Sequence, residues 1–297
     1  MRVALVTNAA SGSGTDSRRI AGLLHDAGAE VTVHPFDPDD GDGAIGAAAA
    51  AAAAEHPDRL AVAGGDGSIG PVAVHAAASD LPLAVIPTGT ANDFARAMEL
   101  PSDPWAAVAL AADPDAGTRE VELLRAGDRP FVNAASVGVS VPAARSARAL
   151  KRSLGPLSYL VGAVRAGLTA RPLRCRALVE GRELFDGRAW QVIVAGTGAF
   201  GGGARIDAAD AGDRLIDVAV LEAGSRAALA RHALAMRSGA LTERPGVRHA
   251  RGREVVLDVS RGTCFNVDGE LCRIEPARFS TRGERVGIVV RRGARSR

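Results

Sequence analysis

Cysteine is scarce in this 297-residue chain: Cys175, Cys264 and Cys272 are odd in number and no CxxC spacing joins them. A disulfide frame and a thiolate zinc site are both excluded as organising elements. The six histidines are scattered, with no metal-ligand spacing. Long apolar runs are missing too. No stretch reaches the roughly 18 apolar, uncharged residues of a membrane helix, and the alanine run 47–54 is short and only weakly hydrophobic. The opening MRVALVTNAASG lacks the apolar core and cleavage site of a signal peptide. A cytoplasmic protein is the expectation. The last absence is of one charge sign: between Arg129 and Val179 there is no Asp or Glu, while nine Arg and Lys fall there. That segment carries +9 and the remainder −7, for a net charge of +2. A basic face on an otherwise acidic protein predicts an anionic partner met in one place.

The rest of the composition, 47% hydrophobic and 24% charged, is that of a folded globular chain. Apolar runs over 3–7, 31–34, 60–63 and 83–86 read as buried strands, and helices are predicted over 16–27, 44–54 and 92–100. A further helix over 69–78 is placed with its start near Ser68 and Pro71 in its first turn. Strand, loop and helix alternate, the signature of βαβ units on a parallel sheet. Beyond about residue 124 the character changes. Helical periodicity survives over 143–170, and the remainder reads as strands over 176–179, 191–195, 216–221, 254–259, 265–267 and 286–290 between glycine-rich turns. Two domains are predicted: an α/β domain over 1–124 and a β-rich domain over 125–297, whose last residues are free to return to the first.

Three strand-to-loop junctions of the first domain are polar or glycine-rich: NAASGSG at 8–14, GGDGS at 64–68 and TGTAND at 88–93. In open parallel sheets ligands sit outside the carboxyl ends of the strands, so these loops should converge on one crevice. Glycines let backbone N–H groups approach phosphate oxygens, and a following helix start adds partial positive charge. Asp66 and Asp93 would repel bare phosphate; they make sense with Mg²⁺ between, as in phosphoryl transfer.

GGDGS followed by IPTGTANDFARAMELP resembles the diacylglycerol kinase catalytic family, which includes bacterial lipid kinases and sphingosine and ceramide kinases. The similarity extends through NAASGSG, TREVELLRAGDRPFVNAASVG, residues 150–168, GAFGGGARIDAADAGDRLIDVAVL and the Asp268-Gly-Glu270 triplet, in order along nearly the whole chain. The resemblance implies an α/β nucleotide-binding domain like that of phosphofructokinase and NAD kinase, a β-sandwich lipid-substrate domain, ATP and Mg²⁺ as cofactors, and a lipid acceptor taken from an anionic membrane surface. Nucleic acid is no part of it, and a homodimer is left open. Carried over residue by residue, Asn8, Ser11, Gly12, Gly64, Gly65, Gly67, Ser68, Thr88, Gly89, Thr90 and Asn92 would bind nucleotide. Asp66 would be catalytic through Mg²⁺, and Glu270 would be the general base. Asp93 and Glu122 would approach the metal, and Asp213 and Asp217 would hold a second, structural Mg²⁺.

The chain departs from the family pattern at several points. Ala9-Ala10 replaces a Pro, Ser68 a Thr, Ala91 a Gly, Glu122 an Asp, Gly196 an Asn and Arg214 a Gly. Ala91 predicts a strained loop if its backbone needs φ > 0, and Arg214 puts the second metal site in doubt. Plainer readings stand beside these. Asp268-Gly269 is also a strong hairpin signal, Asp213 and Asp217 would equally suit a solvated turn and an exposed strand position, and Phe94 and Trp105 read as core. A kinase of the same superfold acting on a soluble substrate, and a nucleotide-binding regulator without turnover, are the alternative functions.

Overall fold

The computed structural model describes residues 1–8, 17–41, 43–142, 144, 169–197, 199–200, 204–205, 213–238 and 240–293. Two compact units emerge, Met1–Leu123 with Gly283–Arg297, and Leu124–Arg282.

The first unit is built on β1 (Arg2–Asn8), β2 (Glu30–Phe36), β3 (Arg59–Gly64) and β4 (Leu83–Pro87), in the spatial order β4-β3-β1-β2 and parallel throughout. β1, β3 and β4 are buried along nearly their whole length, which is why they read as continuous apolar runs. Helices α1 (Ser17–Asp26) and α2 (Ala44–Ala54) flank β2, and α3 (Asp66–Ala78) links β3 to β4. Short α4 (Asp93–Ala97) and α5 (Pro104–Ala112) follow β4. Val3, Leu5, Ala61, Ala63, Ala84 and Ile86 form one core cluster with Ile20 and Leu24 of α1 and with Val108 and Ala111 of α5. α2 and α3 pack on each other. After β1 the chain goes to β2 on one side, then crosses to β3 on the other, so the topological switch lies between β1 and β3. Asn8 and Gly64 stand at its carboxyl edge.

Four expectations change here. α3 begins at Asp66, two residues before the predicted Ser68, so Pro71 lies inside the helix and cannot donate to the Gly67 carbonyl. The helix expected over 92–100 stops at Ala97. α5 was not anticipated, although Asp103 caps it by accepting from Ala106 N at 3.0 Å and Pro104 opens it. Its Trp105 is exposed under the Arg19 guanidinium, 4.4 Å from the ring centre, and not in the core; Phe94 is fully buried as expected.

β5 (Gly117–Ala126) carries the chain from the first unit into the second. There follow β6 (Arg129–Phe131), β7 (Ala134–Gly138), β8 (Leu173–Val179), β9 (Arg182–Ala195), β10 (Ala199–Phe200), β11 (Ala204–Arg205) and β12 (Ile216–Glu222). Helix α6 (Arg226–Ser238) comes next, then β13 (Val247–Gly252), β14 (Glu254–Val259), β15 (Cys264–Val267), β16 (Glu270–Arg273) and β17 (Arg278–Val290). In this unit the order is β16-β15-β7-β9-β8-β14-β17, antiparallel throughout, with β12 pairing on β9 and carrying β13. β9 buries both faces: Val192 and Val194 join Phe131, Phe265 and Phe279, while Trp190, Ile193 and Ala195 join Leu229 of α6. α6 is a second helix absent from the expectations. Most of the helical stretch expected over 143–170 lies outside the described residues. Cys175 is buried, which pushes its thiol up to about 11 and leaves it unreactive.

Candidate active site

Two of the three predicted loops meet within the first unit. Gly64 ends β3 beside Pro87 of β4, and the Thr88 N–H donates to its carbonyl at 3.0 Å. Gly65 then caps α3 without a side-chain hydrogen bond, so no side chain covers the positive end of this 13-residue helix. Ser68 N folds back to the Gly65 carbonyl at 3.0 Å. On the second loop, Asn92 donates to the Gly89 carbonyl at 3.0 Å. Asn92 takes the left-handed conformation, φ 49°, which asparagine tolerates. Ala91 does not, so the strain expected there is absent.

Asp66 joins the loops: its Oδ1 accepts from Phe94 N at 2.8 Å, in the first turn of α4. Burial pushes the Asp66 carboxyl above the usual aspartate range, and the neighbouring Asp93 carboxylate adds to this; the Phe94 N–H and Arg96 oppose it. Asp93 is itself buried and paired to Arg96 at 2.8 Å. Arg96 also donates to the Ala91 carbonyl. Asn92 Oδ1 is buried and finds no hydrogen-bond partner among the described residues. Two neighbouring carboxylates, one costly to ionise, and an unpartnered amide oxygen thus stand on these loops, although no group of three or more acidic, histidine or cysteine side chains gathers there among the described residues. Of the other predicted residues, Asn8 ends β1, Thr90 follows Gly89 and Glu122 is buried in β5. Ser11 and Gly12 lie outside the described residues.

The second unit holds the remaining predicted residues in two places. Asp268 and Gly269 form the turn between β15 and β16 with φ 46° and 86°, the two-residue hairpin geometry that Asp-Gly favours. Asp268 is buried and accepts three backbone amides: Val132 N at 2.9 Å, Asn133 N at 3.1 Å and Ala134 N at 2.8 Å. Glu270, one residue past the turn, is half exposed and paired with Arg129. No local pattern in the sequence announces that pair, since its members are 141 residues apart; Arg96, by contrast, stands at the helical i+3 position from Asp93.

Asp213 and Asp217 do come together, but around a guanidinium. Asp217 is fully buried in β12, not at an exposed strand position. Its Oδ1 lies 2.7 Å from His249 Nε2 and its Oδ2 accepts from Arg251 Nε at 3.3 Å. Asp213 accepts from Leu215 N at 3.0 Å through Oδ1 and from Arg251 through Oδ2. All four oxygens of the pair, for which the family resemblance implies a second Mg²⁺, are thus partnered within the protein. Arg214 adopts φ 64°, a left-handed position that explains why glycine stands there in the family pattern. At Gly196 a Cβ would lie 2.5 Å from Leu124 Cδ1, so a larger residue there would require that side chain to shift.

Comparison with known proteins finds relatives of both units. Residues 2–126 match the diacylglycerol kinase catalytic domain model, and residues 133–290 match the YegS C-terminal NAD kinase beta sandwich-like domain model. Among curated relatives, a "Probable lipid kinase YegS-like" of Pseudomonas putida is 32% identical over 231 residues, 74% of this chain and 73% of the relative. A "Diacylglycerol kinase" of Mycobacterium tuberculosis is 29% identical over 234 residues, 76% and 75% of the two chains. The crystal structure of a diacylglycerol kinase from Bacillus anthracis str. Sterne shares the fold, with TM-score 0.77 at 19% identity over 99% of this chain and 98% of that one. The chain therefore belongs to the diacylglycerol kinase catalytic family, kinases that phosphorylate an alcohol group.

Proposed function

We propose that this chain is an ATP- and Mg²⁺-dependent lipid kinase, transferring the γ-phosphoryl group to a hydroxyl of a diacylglycerol-like or long-chain lipid. The observation that carries this reading is the Asp66 tie between the two glycine loops at the carboxyl edge of the parallel sheet, with Asp93 and the unpartnered Asn92 oxygen beside it. Phosphoryl transfer asks a protein mainly for positioning and charge neutralisation. The backbone of Gly64, Gly65 and Gly67, the Ser68 hydroxyl and the start of α3 would receive phosphate oxygens, with Thr88, Gly89 and Thr90 forming the second wall. Asp66 and Asp93 would hold Mg²⁺, which when bound neutralises phosphate charge; Glu122 does not gather with them into a three-acid site. Glu270 would accept the proton of the acceptor hydroxyl, its carboxylate oriented by Arg129. The acid-free basic stretch 129–179 suits contact with an anionic bilayer.

Incubation with labelled ATP and total lipids of the source organism tests this. Label should appear in a lipid product, depend on Mg²⁺ and vanish with Asp66→Ala. ATP consumption that labels only a water-soluble acceptor, or no consumption at all, would sink it.

A further inference from the structure

The acidic pair of the second unit already contains its cation. We propose that the Arg251 guanidinium does in this chain what a structural metal ion would do: it clamps the segment before β12 to the sheet by bridging Asp213 and Asp217. Arg251 sits on β13 directly opposite Asp217 of β12 in the antiparallel register. Its Nε faces Asp217 and its terminal nitrogen faces Asp213, so one planar fork spans two carboxylates four residues apart in sequence. His249, two residues away on the same strand and therefore on the same face, takes the remaining Asp217 oxygen. Leu215 N takes the remaining oxygen of Asp213. A divalent ion bound here would have to displace Arg251 and would then lie beside its positive charge.

Arg251 is thus a positioning residue. It is strapped to an acid with no access to water: Asp217 is 0% exposed, whereas Arg251 and Asp213 are partly open. Removing the guanidinium leaves a buried carboxylate with only the histidine for company, which is costly. It also leaves two vacant carboxylate oxygens facing each other across the gap, the hard donors that Mg²⁺ or Mn²⁺ prefers. The inference is independent of the lipid kinase reading, because its test reads metal occupancy and melting, not turnover.

The test measures Mn²⁺ binding by electron paramagnetic resonance, and thermal melting with and without Mg²⁺, for wild type, Asp213→Asn, Arg251→Met and the Arg251→Met/Asp213→Asn double variant. Any ion held at Asp66 and Asp93 is common to all four and cancels in the comparison. Wild type and Asp213→Asn should bind the same number of Mn²⁺ ions. Arg251→Met should melt roughly 5–10 °C below wild type in chelator, bind one ion more, and recover part of the loss on adding Mg²⁺. The double variant should lose both the extra ion and the recovery. An ion bound by wild type and lost in Asp213→Asn would overturn the proposal, as would an Arg251→Met protein that melts like wild type. The wild-type and Asp213→Asn arms decide the matter even if Arg251→Met fails to fold.

Discussion

A Cβ built on Gly89 would lie 2.6 Å from the Cα of Gly65, backbone against backbone. The two loops approach so closely that at Gly89 neither chain can give way by turning a side chain. The bareness of Gly89 is therefore explained by its neighbour loop before any ligand is considered, whereas that of Gly65 is not. The asymmetry is testable: a Cβ on Gly65 would stand 3.4 Å from Gly89 Cα, an ordinary contact. Gly89→Ala should cost about 1–3 kcal/mol as the loops are forced apart, while Gly65→Ala should melt within about 0.5 kcal/mol of wild type. Denaturant unfolding of the two variants decides this. Gly65→Ala then isolates the ligand: if phosphates rest on that backbone, its ATP affinity falls at least tenfold in a protein that is otherwise intact. Unchanged ATP affinity would place the phosphates elsewhere.

Asp66 carries two opposing effects that substitution can separate. Its Oδ1 stabilises the start of α4, while burial of its charge does the reverse. Asparagine keeps an acceptor for Phe94 N and removes the charge, so Asp66→Asn should be at least as stable as wild type at pH 7. Asp66→Ala should lose about 1 kcal/mol with the hydrogen bond. Because the folded protein holds the acid form to higher pH than the unfolded chain does, this group's contribution is fully present below the ordinary aspartate pKa of about 4 and fades as pH rises through the raised value. The stability gap between Asp66→Asn and wild type should accordingly widen as pH rises out of the acid range. A gap independent of pH would mean that the carboxyl is not perturbed. Both variants should lack kinase activity, since neither supplies a carboxylate to a cation.

The loops that make the site were legible in the sequence because their constraints are local. Glycines at 64, 65 and 89 and acids at 66 and 93 follow apolar strands directly, and the strands themselves are short buried runs. What escaped was set by distant partners or by weak patterning. α5, PWAAVALAA, has no polar face to give a helical period, and only Asp103-Pro104 marked its start. α6 carries arginines on an otherwise alanine-rich helix and lost to the strand-rich reading around it. Asp217 could not be told from an exposed strand residue, because His249 and Arg251 come from a strand more than 30 residues later. Arg129 and Glu270 are farther apart still.

Asp268 and Glu270 stand two residues apart on one turn and should behave in opposite ways. Asp268 holds three backbone amides from a buried position. Asp268→Ala strands all three N–H groups and removes a side chain that tolerates φ 46°, so at least about 3 kcal/mol should be lost. Asn at 268 keeps the left-handed turn and lets Oδ1 serve Asn133 and Ala134, but its amide nitrogen then faces the Val132 N–H. An intermediate loss, about 1–3 kcal/mol, is expected for that single donor–donor conflict. Urea melts of the two variants should show this order. A wild-type melt for Asp268→Ala would mean that the hairpin does not depend on the carboxylate.

Glu270 is the reverse case. Its side chain is 45% exposed and its pairing with Arg129 is open to water, so the ion pair contributes little to stability. Glu270→Gln should melt within about 1 kcal/mol of wild type. If its carboxylate accepts the proton of the attacking hydroxyl, the same change should lower kcat by roughly 10²- to 10⁴-fold. ATP affinity should hold, because the residue is assigned to the acceptor and not to the phosphates. The pH profile gives a readout that a packing role would not move. The acid limb of log kcat against pH, where a general base loses activity by protonation, should flatten in the glutamine variant. Arg129→Gln should lower kcat without abolishing turnover, since it removes the partner that orients the carboxylate. A Glu270→Gln enzyme that turns over within a few-fold of wild type would reduce the carboxylate to an ordinary residue past a turn, and the proton would have to leave by another group.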